Sequence, residues 1–404
     1  MVLGSLALGR ERGTATTSRG WLRPTLQEVP DLLRQFNVAR QPWRPAGLGG
    51  HLHWCRPVPW DGQVVSVAAN NRILRHSVED FTVEVEAGLP LSWLQAALAE
   101  QGQWLAVDPP PAAGPGTIGG LVARGLSAGL RHRYLGIRDQ LIGVGFVRAD
   151  GVTAKAGGRV VKNVAGYDLM RLLCGSWGSL ALLTRLTMRT YPMPSQRRHL
   201  LLCGAQETML QLRQWLLRSC LTPERMDWWS LAMARLLGCG GVLEGDLCLV
   251  VSLGSISQDA IAAQEQALAT QLGDSIQMHP LANWPQVALG RPPAPGEWLL
   301  HLGCRPASMA QLMLETSPTG LCWQAGLTTG LGYAVGTLTV EQVLRLRNRL
   351  TTHGGFLTIL VQPPATIPSP LPPWQRQPAA DVMLAIKHAL DPYGVVSGGG
   401  VPGG

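Results

Sequence analysis

Charge of either sign is scarce in this 404-residue sequence, in which 15% of the residues are Asp, Glu, Lys or Arg. Lysine occurs at three positions only, so the formal net charge of +8 comes almost entirely from scattered arginines. A nucleic-acid-binding face usually needs clustered cations, and this distribution disfavours one. No hydrophobic run reaches the ~18–20 residues that a membrane-spanning helix needs. The 46% hydrophobic content predicts a globular protein of two or three domains.

Cysteine spacing typical of metal sites is also missing. None of the eight cysteines stands in the C-x₂-C arrangement of zinc or iron–sulfur ligation. In a chain of this length the pattern predicts buried thiols in a protein of a reducing compartment, here the cytoplasm. We therefore expect no metal centre in this chain.

Strands and helices alternate along the chain. The apolar pattern predicts strands at 64–68, 82–87, 104–107, 141–148, 180–184 and 186–190, with helices at 91–100 and 119–126. Beyond the prolines at 192 and 194, with no internal sequence repeat, it predicts strands at 200–203, 247–253, 298–302, 331–338 and 356–361 and helices at 208–218, 256–271, 309–316 and 340–352. This predicts an α+β fold with a boundary near residue 193, then a proline-rich linker at 362–380 and a last helix at 381–390.

Glycines concentrate in short segments of the first half of the chain. The first segment is Gly47-Leu48-Gly49-Gly50-His51, in which successive backbone N–H groups could face a pyrophosphate. It has neither the Gly-Lys-Ser/Thr of a Walker loop nor a G-x-G-x-x-G fingerprint, so by itself it is equally consistent with an ordinary turn.

The second segment runs from Pro111 to Ala123 and contains Gly116-Thr117-Ile118-Gly119-Gly120. One interpretation is a helix start with small residues for close packing; the other is a cradle for phosphate and a flat ring, with Thr117 donating a hydrogen bond. The third segment, Gly136-Ile137-Arg138-Asp139, is either a solvated loop or a further lining of the same ligand site. The fourth, 157–178, ends in Gly175-Ser176-Trp177-Gly178.

Taken together, these runs resemble the vanillyl-alcohol-oxidase-type (PCMH-type) FAD-binding family. Within it, the run from Lys162 to Asp168 and the tail 390–395 are most similar to the FAD-binding E subunits of glycolate oxidase, also called glycolate dehydrogenase. The resemblance covers residues 40–192. It implies a PCMH-type FAD-binding domain of two α+β subdomains (1–193), a ferredoxin-like α+β cap domain (194–365), and a linker with a C-terminal helix and tail (366–404) that returns to the first domain.

The resemblance also implies FAD as cofactor and a set of residues that contact it. We expect cofactor contacts from Gly47, Leu48, Gly49, Gly50, His51, Pro111, Gly116, Thr117, Ile118, Gly119, Gly120, Ala123, Gly136, Ile137, Arg138, Asp139 and Gly178. Arg131, Arg133 and Arg138 are candidates for holding a substrate carboxylate. Lys162 either stabilises the reduced flavin or, the interpretation we favour, pairs with Asp168.

The implied activity is oxidation of glycolate to glyoxylate by a heteromeric complex. Its partners would be a catalytic flavoprotein subunit and an iron–sulfur subunit, with possible peripheral attachment to the membrane through them. Two alternatives stay open: a free-standing FAD-dependent D-2-hydroxy-acid dehydrogenase of the D-lactate type, and a non-catalytic subunit that binds flavin for assembly. The catalytic residues are not identified by the sequence.

Overall fold

The structure, a computed structural model, describes residues 20–55, 62–110, 115–158, 167–236, 243–281, 292–316, 321–363 and 370–397. Pro111 and Lys162, both named above, lie outside these ranges. The described strands are β1 Trp21–Leu22, β2 Trp43–Ala46, β3 Gln63–Ser66, β4 Ile73–Ser77, β5 Thr82–Glu86, β6 Gln103–Trp104, β7 Leu141–Val147, β8 Thr153–Gly157, β9 Leu182–Arg189, β10 Tyr191–Pro192, β11 Gln196–Gly204, β12 Arg225–Trp229, β13 Leu247–Ser255, β14 Ile276–Leu281, β15 Trp298–Gly303, β16 Cys322–Gly326, β17 Leu331–Gly336 and β18 Phe356–Val361. The helices are α1 Val29–Val38, α2 Leu91–Ala99, α3 Ile118–Arg124, α4 Arg131–Tyr134, α5 Ile137–Gln140, α6 Leu169–Leu173, α7 Gln206–Arg218, α8 Leu231–Leu236, α9 Gln258–Leu272, α10 Met309–Thr316, α11 Val340–Thr352 and α12 Ala380–Leu390.

The first part of the chain contains two sheets that share one hydrophobic core. A small parallel sheet has the order β1-β3-β2, and an antiparallel sheet has the order β4-β5-β9-β7-β8. Val65 of β3, Val85 of β5 and Leu186 of β9 are fully buried in the common core, where Ile118 of α3 joins them. These are the two α+β subdomains expected from the sequence.

Two expected strands in this region are in fact one. The segments 180–184 and 186–190 were predicted as separate strands, but β9 is continuous. Arg185, which interrupts the apolar run, pairs in register with Glu86 of β5 and keeps its side chain exposed while its neighbours are buried. Because successive side chains alternate between faces, one exposed arginine is compatible with an uninterrupted strand.

The second part of the chain is an antiparallel sheet of eight described strands in the order β14-β11-β13-β12-β16-β17-β15-β18. It consists of two consecutive βαββαβ units, β11-α7-β12-β13-α9-β14 and β15-α10-β16-β17-α11-β18. Each unit has the spatial order 4-1-3-2 of a ferredoxin-like fold, and they join edge to edge where β12 pairs with β16. The fold therefore repeats even though the sequence shows no repeat.

The two faces of the eight-stranded sheet have different neighbours. One face, with Leu249, Trp228 and Leu300, packs against the long helices in the largest core cluster. The opposite face, with Trp229, Tyr333 and Leu360, shares a cluster with Trp54 and Leu126 of the first domain. The sheet thus acts as a cap whose second face lies directly on the first domain.

The last described residues return to the first domain. Val396 forms a parallel bridge with Trp43, whose backbone N–H donates to Val395 at 2.8 Å and whose carbonyl accepts from Ser397 at 2.7 Å. The buried Asp391 carboxylate accepts from the backbone of Val395 and Val396 and pairs with Lys387. The tail therefore pairs alongside β2, the strand that leads into the first glycine segment.

The expectation that all cysteines are buried thiols is wrong for several of them. Cys203 and Cys248, opposite each other on β11 and β13 with Cα atoms 4.3 Å apart, form a disulfide. Cys220 is exposed and Cys174 is half-buried, whereas Cys55, Cys304 and Cys322 are buried as expected. Adjacent antiparallel strands bring cysteines together that lie 45 residues apart in sequence, which the spacing cannot reveal.

None of the helices in the described ranges is long and apolar enough to cross a membrane. The same part of the chain contains no cluster of three or more His, Cys, Asp or Glu side chains that could hold a metal ion.

Candidate functional site

A cleft, partly open to solvent, lies where the first two glycine segments meet. Of the residues expected to contact a cofactor, those in the walls of this cleft are Gly47, Leu48, Gly49, Gly50, His51, Gly116, Thr117, Gly119, Gly120, Ala123 and Gly178. The other residues in the walls of the cleft were not expected from the sequence. They are Pro45, Ala46, Leu52, Trp54, Val67, Pro115, Arg124, Trp177, Ala181, Leu182 and Leu183.

The first glycine segment is held against the second by close packing. A Cβ at Gly47 would overlap the side chain of Thr117, so only glycine fits there. The Ser66 hydroxyl of β3 donates to the Gly47 carbonyl at 2.8 Å and fixes the start of the loop. Gly49 has φ of 87°, a left-handed conformation that favours glycine. The loop is therefore a fixed part of the wall, with its backbone facing the cleft.

The second segment opens helix α3 at the same cleft. Thr117 is the N-cap residue, and its Oγ1 accepts a hydrogen bond from the Gly120 backbone at 3.2 Å. Gly119 donates from its backbone to Ala87 at 2.8 Å, and a Cβ at Gly119 would lie 2.8 Å from the same oxygen. At Gly120, by contrast, a Cβ would meet only the ends of two side chains, at 3.4 and 3.8 Å. Gly119 is thus required by packing, whereas Gly120 keeps space free for a ligand.

His51 ends the first segment and stacks edge to face on Trp54, with ring centroids 4.5 Å apart. Burial, reinforced by the nearby Arg124 guanidinium, lowers the pKa of His51 to about 3. The ring is therefore neutral at physiological pH and can act as a hydrogen-bond donor or acceptor in the cleft.

The third segment lies elsewhere. Gly136 and Ile137 are buried, and Arg138 and Asp139 are exposed, so none of the four lines the cleft. Asp139 instead accepts a hydrogen bond from the Gly136 backbone at 3.2 Å and so caps the short helix α5. Ile118 points away as well, into the hydrophobic core. Asp168 of the fourth segment pairs with Arg171 at 3.2 Å.

A second group of polar residues lies between the FAD-binding half and the cap sheet. Arg225 and Asp227 of β12 form a fully buried ion pair against Gly129, where any Cβ would overlap them. On the same face of the sheet, the ring centroids of Tyr333 and His301 lie 5.1 Å apart. Burial and the charge of Arg131 lower the pKa of His301 to about 4. Of the three arginines proposed for a carboxylate, Arg131 is thus the one that faces these cap residues.

The other two arginines are placed differently. Arg133 is exposed and donates to the Thr222 carbonyl at 3.1 Å, and Arg138 is also exposed. Near Arg131, the buried Asp108 accepts backbone hydrogen bonds from Ala128 at 3.0 Å and Leu130 at 2.9 Å. Burial raises the pKa of Asp108 to about 6, against the opposing effect of Arg225. The interface therefore contains ionisable groups whose pKa values are displaced in opposite directions, as is common at functional sites.

Comparison with known proteins agrees with this geometry. Residues 24–157 match a protein family described as "FAD binding domain". The chain is 36% identical over 195 residues to glycolate oxidase subunit GlcE of Escherichia coli (strain K12), a match covering 46% of this chain and 54% of that protein. It is 33% identical over 175 residues to glycolate oxidase subunit GlcD of Bacillus subtilis (strain 168), covering 43% and 37%.

A third relative is the mitochondrial D-lactate dehydrogenase (cytochrome) of Arabidopsis thaliana, 33% identical over 168 residues, covering 42% of this chain and 29% of that protein. The chain thus matches about half or less of the length of these relatives. Among solved structures, alkyldihydroxyacetonephosphate synthase has a TM-score of 0.63 at 15% identity, covering 93% of this chain and 76% of the other. That likeness concerns the fold alone. Because it covers 93% of this chain, it includes the cap as well as the first domain.

Residues 24–157 therefore match an FAD-binding domain, an α+β cap follows them in the fold, and FAD is the cofactor that this match indicates. The cleft fits such a group, because a glycine-lined wall allows close approach of a large flat molecule. Two of the relatives reported above are subunits of glycolate oxidase.

Proposed function

We propose that the chain is the FAD-binding subunit of a glycolate oxidase (glycolate dehydrogenase) complex. It would take part in oxidising glycolate to glyoxylate and pass electrons to partner subunits. The observation that carries the proposal is the 36% identity over 195 residues to a glycolate oxidase subunit, together with the presence of a glycine-lined cleft.

In this proposal the chain binds FAD through the residues of the cleft. The backbone N–H groups of the Gly47–Gly50 loop would donate hydrogen bonds to the pyrophosphate. The adjoining part of the cofactor would contact the Thr117 hydroxyl and occupy the space left open at Gly120. When bound, FAD supplies the hydride-accepting chemistry, and the protein supplies orientation and electrostatics. Because FMN has no pyrophosphate, a loop that binds this group would favour FAD over FMN.

The substrate carboxylate needs a cation close to the cofactor. We propose Arg131 for this role, because its charge faces His301 on the cap sheet. Arg133 donates to the Thr222 carbonyl, and the Arg138 side chain extends into solvent. A neutral His301 can accept a hydrogen bond from the substrate hydroxyl, so the two residues would orient a 2-hydroxy acid between the domains.

The partners we propose are a catalytic flavoprotein subunit and an iron–sulfur subunit. Flavoproteins that feed a respiratory carrier usually pass electrons singly through metal centres, and the described part of this chain contains no cluster of metal ligands. Such partners would also be the means of any peripheral membrane attachment.

The experiment is purification of the complex from its native source with identification of the co-purifying chains and the bound flavin. The isolated chain should reduce an artificial dye with glycolate slowly or not at all, and activity should appear when the partners are added. Absence of any flavoprotein or iron–sulfur partner would contradict the proposal.

A second candidate function is a free-standing D-2-hydroxy-acid dehydrogenase. The observation in its favour is the similarity to D-lactate dehydrogenases, 33% and 32% identity over 42% of this chain in each case. Rapid turnover of D-lactate or glycolate by the isolated chain would support this function instead.

A further inference from the structure

Arg124 occupies the last turn of helix α3, yet its charged group lies beside the glycine cradle at the other end of that helix. Side chains on a helix incline toward its N-terminus, which directs a long arginine back along the axis. A Cβ at Gly120 would lie 3.8 Å from Nη1, and one at Gly116 would lie 3.9 Å from Nη2. The guanidinium therefore borders the surface formed by the second glycine segment.

The guanidinium has no acidic partner among the described residues. Its Nε is buried and makes no hydrogen bond there. Two other half-buried arginines have carboxylate partners: Arg148 with Asp150 at 2.7 Å and Arg197 with Glu224 at 2.9 Å. Burial lowers the pKa of Arg124 to about 10, which leaves it charged at physiological pH. A charge removed from water without a partner is costly, so its presence here points to a ligand.

The rest of the cleft contains nothing that could neutralise this charge. Within the described residues, the lining includes no Asp or Glu, and Arg124 is its one permanent cation. His51, the only other titratable group close to it in the wall, is neutral. The indole of Trp54 lies under the guanidinium with its centroid 5.5 Å away, a contact that orients a cation but does not cancel its charge. The cleft thus has the electrostatics of an anion site.

Arg124 could bind either of two anionic groups of FAD, the pyrophosphate or the reduced flavin ring. The pyrophosphate is negative in both oxidation states, whereas the flavin ring gains charge only on reduction. Arg124 acts electrostatically on His51, which ends the Gly47–Gly50 loop, so the guanidinium and this loop border the same space. Phosphate oxygens also match the planar donors of a guanidinium well. The geometry favours the pyrophosphate.

We propose that Arg124 is the cation that binds the FAD pyrophosphate, opposite the backbone N–H groups of the Gly47–Gly50 loop. The inference deepens the cofactor assignment and depends on it. It adds a charged side chain to a wall whose backbone donors are uncharged, and it accounts for an arginine that has no carboxylate partner among the described residues.

The test is ligand binding to the flavin-free chain, measured by fluorescence or calorimetric titration for wild type, Arg124→Gln and Arg124→Lys. FAD carries both ring and pyrophosphate, ADP carries the pyrophosphate alone, and riboflavin carries the ring alone. The control is Arg345→Gln, which changes an exposed arginine of α11 whose only ion pair, with Glu341, is 3.7 Å long. Each titration is repeated at low and high salt, because a charged contact weakens with ionic strength.

Arg124→Gln should weaken FAD and ADP by roughly 10- to 100-fold, the loss expected for hydrogen bonds to a charged group, and leave riboflavin within about twofold. Arg124→Lys should lose less, and Arg345→Gln should match wild type. Thermal unfolding of the flavin-free Arg124→Gln chain should occur at or above the wild-type temperature, because no internal ion pair is lost.

Equal losses for FAD and riboflavin, or unchanged ADP binding, would overturn the proposal and assign the guanidinium to the ring or to the fold. If Arg124→Gln binds FAD as tightly as wild type, the proposal fails while the cofactor assignment stands. If wild type itself binds no FAD, the cofactor assignment fails with it.

Discussion

Tyr333 of the cap sheet donates a hydrogen bond of 2.9 Å from its phenol to the backbone carbonyl of Ser127, 206 residues earlier in the chain. Both groups are buried. Ser127 follows helix α3 in sequence, so this bond connects the cap to the segment directly after the cofactor cradle. His132 makes a second link across the interface, with its Nδ1 2.9 Å from the hydroxyl of Thr328.

Replacing Tyr333 with Phe should destabilise the attachment of the cap. The Ser127 carbonyl would lose its donor, and a buried polar group left unsatisfied costs about 1–3 kcal/mol. Chemical denaturation should show a loss of that size, and limited proteolysis between the domains should accelerate. Thr328→Val, which removes the second link at a part-buried position, should have a smaller effect. Equal stability of Tyr333→Phe and wild type would contradict the role given to this bond.

Gly120→Val should fold but fail to retain FAD. An added side chain there meets only the ends of Thr117 and Arg124 and would extend into the cleft. Flavin absorbance per protein chain, together with circular dichroism, measures the two properties separately. Gly102→Asn is the control, because Gly102 has open space around it and a φ of 64° that asparagine tolerates.

The neighbouring Gly119 gives the opposite prediction. Gly119→Val should fail to fold, because its Cβ would lie 2.8 Å from the backbone oxygen of Ala87, which cannot move away as a side-chain end can. A folded, flavin-free Gly119→Val protein would show that the two adjacent glycines serve the same purpose.

Much of the fold was predictable from local pattern. Helix α11 and strand β18 have the predicted bounds, because Thr339 and Gln342 form a capping box and the following strand is apolar except for Thr358. Strand β12 was not predicted, because the buried Arg225 and Asp227 resemble surface residues in sequence. Its signal was the alternation of these two with Met226 and Trp228. When charged residues are buried at an interface, a hydrophobicity pattern does not identify their strand as buried.

The candidate site was predictable where glycine was the signal. Both cleft-forming loops were located in this way, whereas Gly136 to Asp139 do not line the cleft. Arg124 was missed for a physical reason. Its importance depends on the absence of a carboxylate within reach, a property of the three-dimensional surroundings. The sequence shows only a single arginine at the end of a seven-residue helix, and it does not show whether a carboxylate lies within reach of that arginine.

Flavin should leave the chain on denaturation, without a covalent bond to His51. The expected role of the neutral ring is one hydrogen bond, so His51→Ala should weaken FAD binding by roughly 0.5–3 kcal/mol. Gel fluorescence after acid denaturation distinguishes the cases, since flavin that migrates with the chain would prove a covalent link. His53→Ala is the matched control, because His53 lies nearby but outside the cleft lining.

His301 should make stability depend on pH. Its pKa falls from the ordinary 6.5 to about 4 on folding, so between these values the unfolded chain binds more protons than the folded one. Stability is therefore lost as pH falls from about 6.5 to 4, by up to about 1.4 kcal/mol per pH unit from this group. Asp108, with a raised pKa of about 6, has the opposite slope over about 4 to 6.

Comparing His301→Gln with wild type isolates this contribution. Urea denaturation at pH 7, 6 and 5 should show a shallower loss of stability on acidification in the variant, with Asp108 acting equally in both proteins. The same slope for both would mean that folding does not lower the pKa of His301.

The bridge between Val396 and Trp43 has a consequence for the order of events during synthesis. The strand that leads into the Gly47–Gly50 loop gains its outer hydrogen-bond partner only when residues 395–397 have left the ribosome. Residues 43 to 397 must therefore all be made before this edge of the FAD cleft is complete. Flavin uptake should thus wait for these residues, and nascent chains stalled before Lys387 should emerge without flavin.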